Sequence, residues 1–323
     1  MARYLNVRSF LLGLVATLVL AAPAQAVVGG KPVPEGQFPY VANVRIMGAF
    51  GCTGTLIAPQ WVLTAGHCGS STGSLSQGLA PSPVAWPADA YQVVLGTVHA
   101  DGSGGETHSV SQVVVDSDYV VTNGPGNDVT LMKLDAATKI APMRIAAVGE
   151  RSTWKPGVLT TVAGFGTTSE GDSNPPDQMQ FAQVPVTTDE YCAQAYPNGL
   201  SEASNDGSFD PKTMVCAGYP QGGTDTCEGD SGGPLLAPVT GGFRLAAATS
   251  FGAGCAQPGK PGVYARLAEG PIREWLKTVV PDAFAPEPKP AATKPKAKPK
   301  PKKCKRRTSR HKKKSSCRRR AKR

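Results

Sequence analysis

Histidine is scarce, with four in 323 residues, and no Cys-x-x-Cys pair or histidine cluster has the spacing of a metal site. That counts against a structural zinc. Long apolar runs are equally few: beyond "FLLGLVATLVL", Phe10 to Leu20, no stretch is apolar enough to span a bilayer, and that run is about half the length a spanning helix needs. Long amphipathic periods are also few, which counts against a helical core. Aromatic residues stop at Phe284, so nothing in the C-terminal tail can stack on nucleic-acid bases.

What is present divides the chain into three parts. Arg3 and Arg8, the apolar run, and Ala24 and Ala26 flanking Gln25 read as a secretory signal peptide over residues 1–26, with cleavage after Ala26. Residues 27–280 carry 13 Lys+Arg against 22 Asp+Glu, and residues 281–323 carry 19 against 2. An acidic globular domain is thus joined to a basic tail. The tail, rich in Lys, Arg and Pro, cannot bury a core and is expected to be disordered. Its charge suits a polyanion: a cell-envelope polymer, an acidic lipid surface, or nucleic acid bound without sequence specificity.

Eight cysteines in an exported chain imply disulfides. Six lie in the acidic domain (Cys52, Cys68, Cys192, Cys216, Cys227, Cys255), and six cysteines allow about fifteen pairings. Cys304 and Cys317 belong to the tail, and whether they pair is left open.

Strand-like segments recur through the domain: "YVANVRI", "GTLIAPQWVLTA", "YQVVLGT", "HSVSQVVV", "DVTLMKL", "LTTVAGFG", "FAQVPV", "GGPLLAP", "FRLAAATSF" and "GVYARL". Gly, Asn, Asp and Pro separate them, and a single helix, "GPIREWLKTVV", closes the domain before Pro281. The fold class is therefore all-β, as antiparallel barrels or a sandwich with one terminal helix.

Three segments together can supply a nucleophilic hydrolase. "LTAGHC" offers His67, "NDVTLMKL" offers Asp128, and "CEGDSGGPLL" offers Ser231 among Gly229, Gly232 and Gly233. Glycines there leave backbone N–H groups unshielded, as stabilisation of an oxyanion requires. Alone, His67 beside a cysteine reads as structural and Asp128 as a turn residue. It is their combination with the glycine-flanked serine that points to catalysis.

In the order His, Asp, Ser, these motifs resemble the chymotrypsin-like, trypsin-type serine proteases. "VVGG", "VAGFGTT", "TMVCAGY", "TSFGAGCAQPGKPGVYARL" and "EWLKTVV" also match in order, so the resemblance spans nearly all of residues 27–280. It implies two antiparallel six-stranded β-barrels with a C-terminal helix. It implies Ser231 as nucleophile, His67 as base then acid, Asp128 behind the imidazole, and Gly229 and Ser231 N–H groups as the oxyanion hole. By the same resemblance Asp225, six residues before Ser231, lies at the base of the specificity pocket, which favours substrates with Arg or Lys at the cut. Thr226 adds a hydroxyl, Gly252 and Gly262 keep the walls small, and Ser250, Phe251 and Gly252 pair with substrate backbone.

The resemblance also implies the pairs Cys52–Cys68, Cys192–Cys216 and Cys227–Cys255. It implies that a free amino group at Val27 pairs with Asp230, so that cleavage after Ala26 would export and activate the enzyme at once. Phe251 and Phe165 replace tryptophans more often seen in the family, and Glu228 sits where it would disfavour acidic residues near the cut. The insert "CGSSTGSLSQGLAPSPVAWPADA" enlarges a loop near the cleft. Asp101 and Glu106 fall near the family's calcium loop, in a pattern too loose to define a site. No metal or cofactor is expected. A secreted monomer acting on protein or peptide substrates is the reading, with retention at the cell envelope through the tail. A protein whose basic tail is the main functional element is the alternative. Tail lysines Lys289, Lys294, Lys298 and Lys300 precede proline, a bond such enzymes cut poorly, whereas "KKCKRRTSRHKKK" has no such protection and would be trimmed unless a polyanion or a Cys304–Cys317 disulfide shields it.

Overall fold

A computed structural model describes residues 27–71, 84–119, 126–197 and 208–287. Residues 1–26 of the expected signal peptide, the tip of the insert and the basic tail lie outside the described residues, and with them the expectations placed on those segments. The chain divides after Pro288.

Six strands of the first half close into a barrel: β1 (Val41–Ile46), β2 (Ala49–Ala58), β3 (Trp61–Thr64), β4 (Tyr91–Leu95), β5 (Glu106–Val115) and β6 (Thr130–Leu134). They pair in the order β1, β2, β3, β6, β5, β4, with β4 returning to β1, and every pairing is antiparallel. Alternating Val, Leu and Ile on these strands fill the barrel, with Val44, Leu56, Val62, Val93 and Leu95 fully buried. The expected single segment "GTLIAPQWVLTA" is broken at Pro59 and Gln60 into β2 and β3, as a proline inside a sheet demands.

The second half forms β7 (Leu159–Gly164), β8 (Gln180–Pro185), β9 (Met214–Ala217), β10 (Pro234–Val239), β11 (Gly242–Phe251) and β12 (Gly262–Arg266). Their order is β8, β7, β10, β11, β12, β9, and the short piece Lys31–Pro32 adds a seventh strand beside β8. Closure comes from one bridge just past the end of β8, between Val186 and Ala217 of β9. Thr187 N–H donates to Cys216 O and Gly218 N–H to Pro185 O, both at 2.9 Å. Two barrels are thus present, the first closed by continuous ladders and the second by this narrow seam.

Helix content departs from expectation. The terminal helix α3 (Gly270–Val279) is present, with Pro271 in its first turn and Ile272 and Leu276 buried one turn apart. Another helix, α2 (Asp189–Ala195), was not expected; Thr188 caps it by accepting from Tyr191 N–H at 3.1 Å. A single turn, α1 (Gly66–Gly69), carries His67.

The packed chain also runs past the Val280 boundary expected from sequence. Pro281–Ala283 form a 3-10 turn, Ala283 and Ala285 are buried, and Phe284 bridges to Ile145. Glu287 then accepts from Val148 N–H at 3.1 Å and Gly149 N–H at 2.9 Å. One apolar cluster joins the halves, with Val41, Leu63 and Leu131 of the first barrel packed with Leu236, Leu245 and Leu267 of the second. At the insert, Ser70 and Ser71 pair antiparallel with Ala85 and Val84, which fixes the base of that loop.

Candidate active site

His67 and Asp128 come from the first barrel, one after β3 and the other just before β6, because β3 and β6 are paired neighbours. Gly66 permits the approach: a Cβ there would stand 2.9 Å from Asp128 Oδ1 and 3.0 Å from the Tyr119 ring. Asn127 turns the chain into the carboxylate at φ 54, a left-handed conformation that asparagine tolerates, and its amide donates to buried Asp116 at 3.1 Å.

The Asp128 carboxylate is buried and fully engaged. His67 Nδ1 lies 3.0 Å from Oδ2, the His67 backbone N–H donates to Oδ1 at 2.9 Å, and the Ser250 hydroxyl donates to Oδ2 at 2.5 Å. Burial opposes its charge, but His67, Ser250 and the backbone N–H outweigh that and hold the carboxyl below its usual range. For His67 burial likewise disfavours the imidazolium, and the charge and hydrogen bond of Asp128 overcome it, raising the pKa above the ordinary histidine value. The pair is therefore built to keep a carboxylate ionised against an imidazole that gains a proton readily.

Ser231 comes from the second barrel, in the turn before β10, and lines the same cleft of about 700 Å³ as His67. Thr53 of β2 stitches this turn to the first barrel. Its N–H donates to Ser231 O at 3.0 Å and its hydroxyl to Gly229 O at 2.9 Å. Gly229 takes φ 91, and a Cβ there would lie 2.7 Å from the Phe50 ring; Gly232 takes φ 78 with Thr64 and Ala65 against it. Only glycine fits both positions. Any other residue would have to shift the backbone around Ser231.

A family model described as Trypsin matches residues 27–276. The chain is a trypsin-family serine protease. A trypsin from Saccharopolyspora erythraea is 39% identical over 242 residues, covering 75% of this chain and 93% of its own. Trypsin-1 from Astacus astacus is 35% identical over 263 residues, covering 78% of this chain and 98% of its own.

In this protease the same cleft is also lined by Asp225, Thr226, Cys227, Gly252, Cys255 and Gly262. Asp225 is 3% exposed and accepts from Thr226 N–H at 2.8 Å and Ala256 N–H at 3.2 Å. Burial pushes its carboxyl up to about 7, against the lowering by those two amides. A Cβ on Gly262 would lie 2.5 Å from Asp225 Oδ1, so glycine is what leaves the carboxylate open to the cleft. Gly252 is less constrained, with Gly254 O at 3.1 Å from its notional Cβ. The Thr226 hydroxyl is 3.5 Å from Tyr264 Oη.

Among the described residues, three disulfides join the cysteines that the resemblance pairs: Cys52–Cys68, Cys192–Cys216 and Cys227–Cys255, with Cα separations of 6.4, 6.0 and 5.2 Å. His67 lies near the first and Glu228 near the third, and because those sulfurs are bonded to one another neither group offers a thiolate to a metal. Asp101 accepts from Ser103 N–H and Glu106 from the Thr138 hydroxyl, each at 2.8 Å, so both candidate calcium ligands have partners within the protein.

Asp230 is fully buried. Gly166 N–H and Cys227 N–H each donate to it at 2.9 Å, yet burial pushes its carboxyl up to about 7. Val27 is also fully buried, and Val28 bridges to Asp225. In the continuous chain the Val27 nitrogen is a peptide amide. Phe251 packs edge-on against Tyr196 at 5.5 Å and Phe165 against Phe50 at 6.4 Å, so both phenylalanines have aromatic neighbours. Thr53 and Tyr119 escaped the sequence reading. Thr53 binds a residue 176 positions away and Tyr119 only lines the cleft, so no local pattern announces either.

Proposed function

We propose that this protease cleaves peptide bonds after Arg or Lys. Asp225 carries the reading: a buried carboxylate at the floor of a glycine-walled pocket, held by two amides and raised to about 7, is completed by a cationic substrate side chain. Ser231 Oγ attacks the carbonyl carbon while His67 takes its proton, and His67 returns that proton to the leaving amine. Water then adds to the acyl-enzyme by the reverse proton path. Asp128 stays ionised and steadies the imidazolium, and the Gly229 and Ser231 N–H groups receive the oxyanion. Ser250, Phe251 and Gly252 pair with the substrate backbone, and Thr226 adds a hydroxyl near the pocket floor.

Three disulfides agree with an exported protein. In the same reading, signal cleavage after Ala26 frees the Val27 amino group to meet Asp230. Hydrolysis of small amides tests the specificity: Arg and Lys amides are expected to be cut and a Phe amide spared. Asp225→Ser should lower kcat/KM for the Arg amide by about 100–3000-fold, the cost of leaving a buried cation unpaired. Preference for the Phe amide, or an unaffected Asp225→Ser, would overturn the reading.

A further inference from the structure

The outer edge of the second barrel has a gap beside β8, and the register of that strand shows why. In an antiparallel ladder, alternate residues turn both backbone groups toward the same neighbour. Just before β8, Met179 O accepts from Val33 N–H at 2.8 Å; Phe181 pairs with Lys31, and Pro185 O accepts from Gly218 N–H at 2.9 Å. Met179, Phe181 and Pro185 all bond outward, and Gln183 lies in step with them. Counting back from Lys31, the residue opposite Gln183 should be Gly29. That residue has left the sheet: Gly29 takes φ 68, Gly30 N–H closes a turn on Val27 O at 2.7 Å, and Val28 bridges to Asp225 instead. Gln183 N–H and O are thereby left without a backbone partner among the described residues.

A groove of about 470 Å³ lies at this gap, lined among others by Gly29, Lys31, Gln183, Tyr219, Gly222 and Thr224. Its size is that of a ligand pocket. Its charge is opposite to that of the catalytic cleft. Lys31 is exposed, pairs with no carboxylate among the described residues, and shares the groove with no described Asp or Glu, whereas the cleft holding Ser231 is lined by Glu170, Asp225 and Glu228. Tyr219, packed against the core of the second barrel, adds an apolar wall. An unpaired donor and acceptor on a sheet edge are what an incoming strand binds, and the cation beside them selects the charge of that strand.

We propose that this gap is a docking slot for an extended acidic segment of a partner protein. One residue of the segment takes the place that Gly29 vacates, its N–H donating to Gln183 O and its carbonyl accepting from Gln183 N–H. An Asp or Glu beside it meets the Lys31 ammonium. The three carboxylates of the catalytic cleft repel the same segment, so charge alone sorts it to the slot. The slot does not depend on which residue the cleft prefers at the cut.

Calorimetric titration of the peptide acetyl-Asp-Val-Asp amide into full-length Ser231→Ala protein tests this. The variant has no nucleophile, so the peptide is not consumed. One peptide per chain is expected to bind, with a dissociation constant of about 1 mM or tighter. Methylating the valine nitrogen keeps the charge and removes the donor for Gln183 O, and should weaken binding at least about tenfold. Adding Lys31→Glu to the protein should weaken it at least about fivefold. Gln183→Pro removes the outward N–H at an edge position, where proline is tolerated, and should weaken it by about as much. Should Gln183→Pro lower the melting temperature, the methylated peptide and Lys31→Glu decide the matter. Absence of saturable binding would overturn the proposal. So would binding that valine methylation leaves unchanged, because residues 281–323, with 19 Lys+Arg against 2 Asp+Glu, attract an acidic peptide by charge without pairing to its backbone.

Discussion

On the proposed reading of the site, two ionisable groups govern how the cleft responds to pH, and both must lose a proton before an Arg substrate can be turned over. Asp225, pushed up to about 7 by burial, holds a proton in the empty pocket below that pH, so accepting a cation there costs the free energy of deprotonation. His67, raised above the ordinary histidine value against its burial by Asp128, must be neutral to act as base. Each raised pKa therefore lowers activity as pH falls. On an Arg amide, log(kcat/KM) should fall with a slope of about two below both titrations, and with a slope of about one in Asp225→Ser on a neutral substrate. A single-proton limb for the unaltered enzyme on Arg amide would count against Asp225 as the cation's partner. Residues at this scale divide by the range of what they touch. That His67, Ser231 and Asp225 line one cleft, with Asp128 bonded to His67, was legible because each sits in a short motif with fixed flanks. Thr53 was not, since its partners Gly229 and Ser231 lie in the other barrel.

Strands were legible because alternation and turn residues are local, and nearly every quoted segment became one. Three features were not. The seam closing the second barrel depends on Val186 meeting Ala217 across 31 residues, a matter of register that pattern alone does not fix. Helix α2 is seven residues long, too short for its period to stand out, although Thr188 followed by Asp189 and Glu190 was an available start signal. The terminal strap was hidden by composition, because "PDAFAPE" reads as the beginning of a proline-rich tail. In the fold it is part of the core: Phe284 lies over the Arg273 guanidinium at 4.3 Å, Ala283 and Ala285 are buried, and Glu287 holds the first N–H groups of the Val148–Trp154 turn. Removing it uncovers apolar surface and leaves two charge-assisted bonds unmade, roughly 3 kcal/mol together. A chain ending at Val280 should therefore melt about 6–12 °C below one ending at Glu287, with kcat/KM for the Arg amide unchanged at low temperature. Equal melting temperatures by calorimetry would show the strap to be passive.

At the scale of the whole molecule, the barrels supply a cleft, and on the proposed reading the N-terminus decides whether its floor is set. Asp230 directly precedes Ser231, is sealed from water, and at about 7 has no positive partner among the described residues to keep it ionised. An ammonium at Val27 would supply that partner, fixing Asp230 as a carboxylate and with it the neighbouring Gly229 to Ser231 backbone. The amino group must start at Val27 for this to work. Retaining Gln25 and Ala26 would carry it about 7 Å farther along an extended chain and leave an uncharged amide beside Asp230. Enzyme beginning at Val27 should therefore exceed enzyme beginning at Gln25 by about 100–3000-fold in kcat/KM, the cost of a buried charge without its partner. Activity of the Val27 form should also fail at alkaline pH, where a terminal ammonium loses its proton and the pair with Asp230 is broken. N-terminal sequencing of the mature protein alongside Arg-amide kinetics on both forms decides the matter. Were the Gln25 form as active as the Val27 form, Asp230 would be serving as a protonated hydrogen-bonding group in the working enzyme, and export and activation would be separate events.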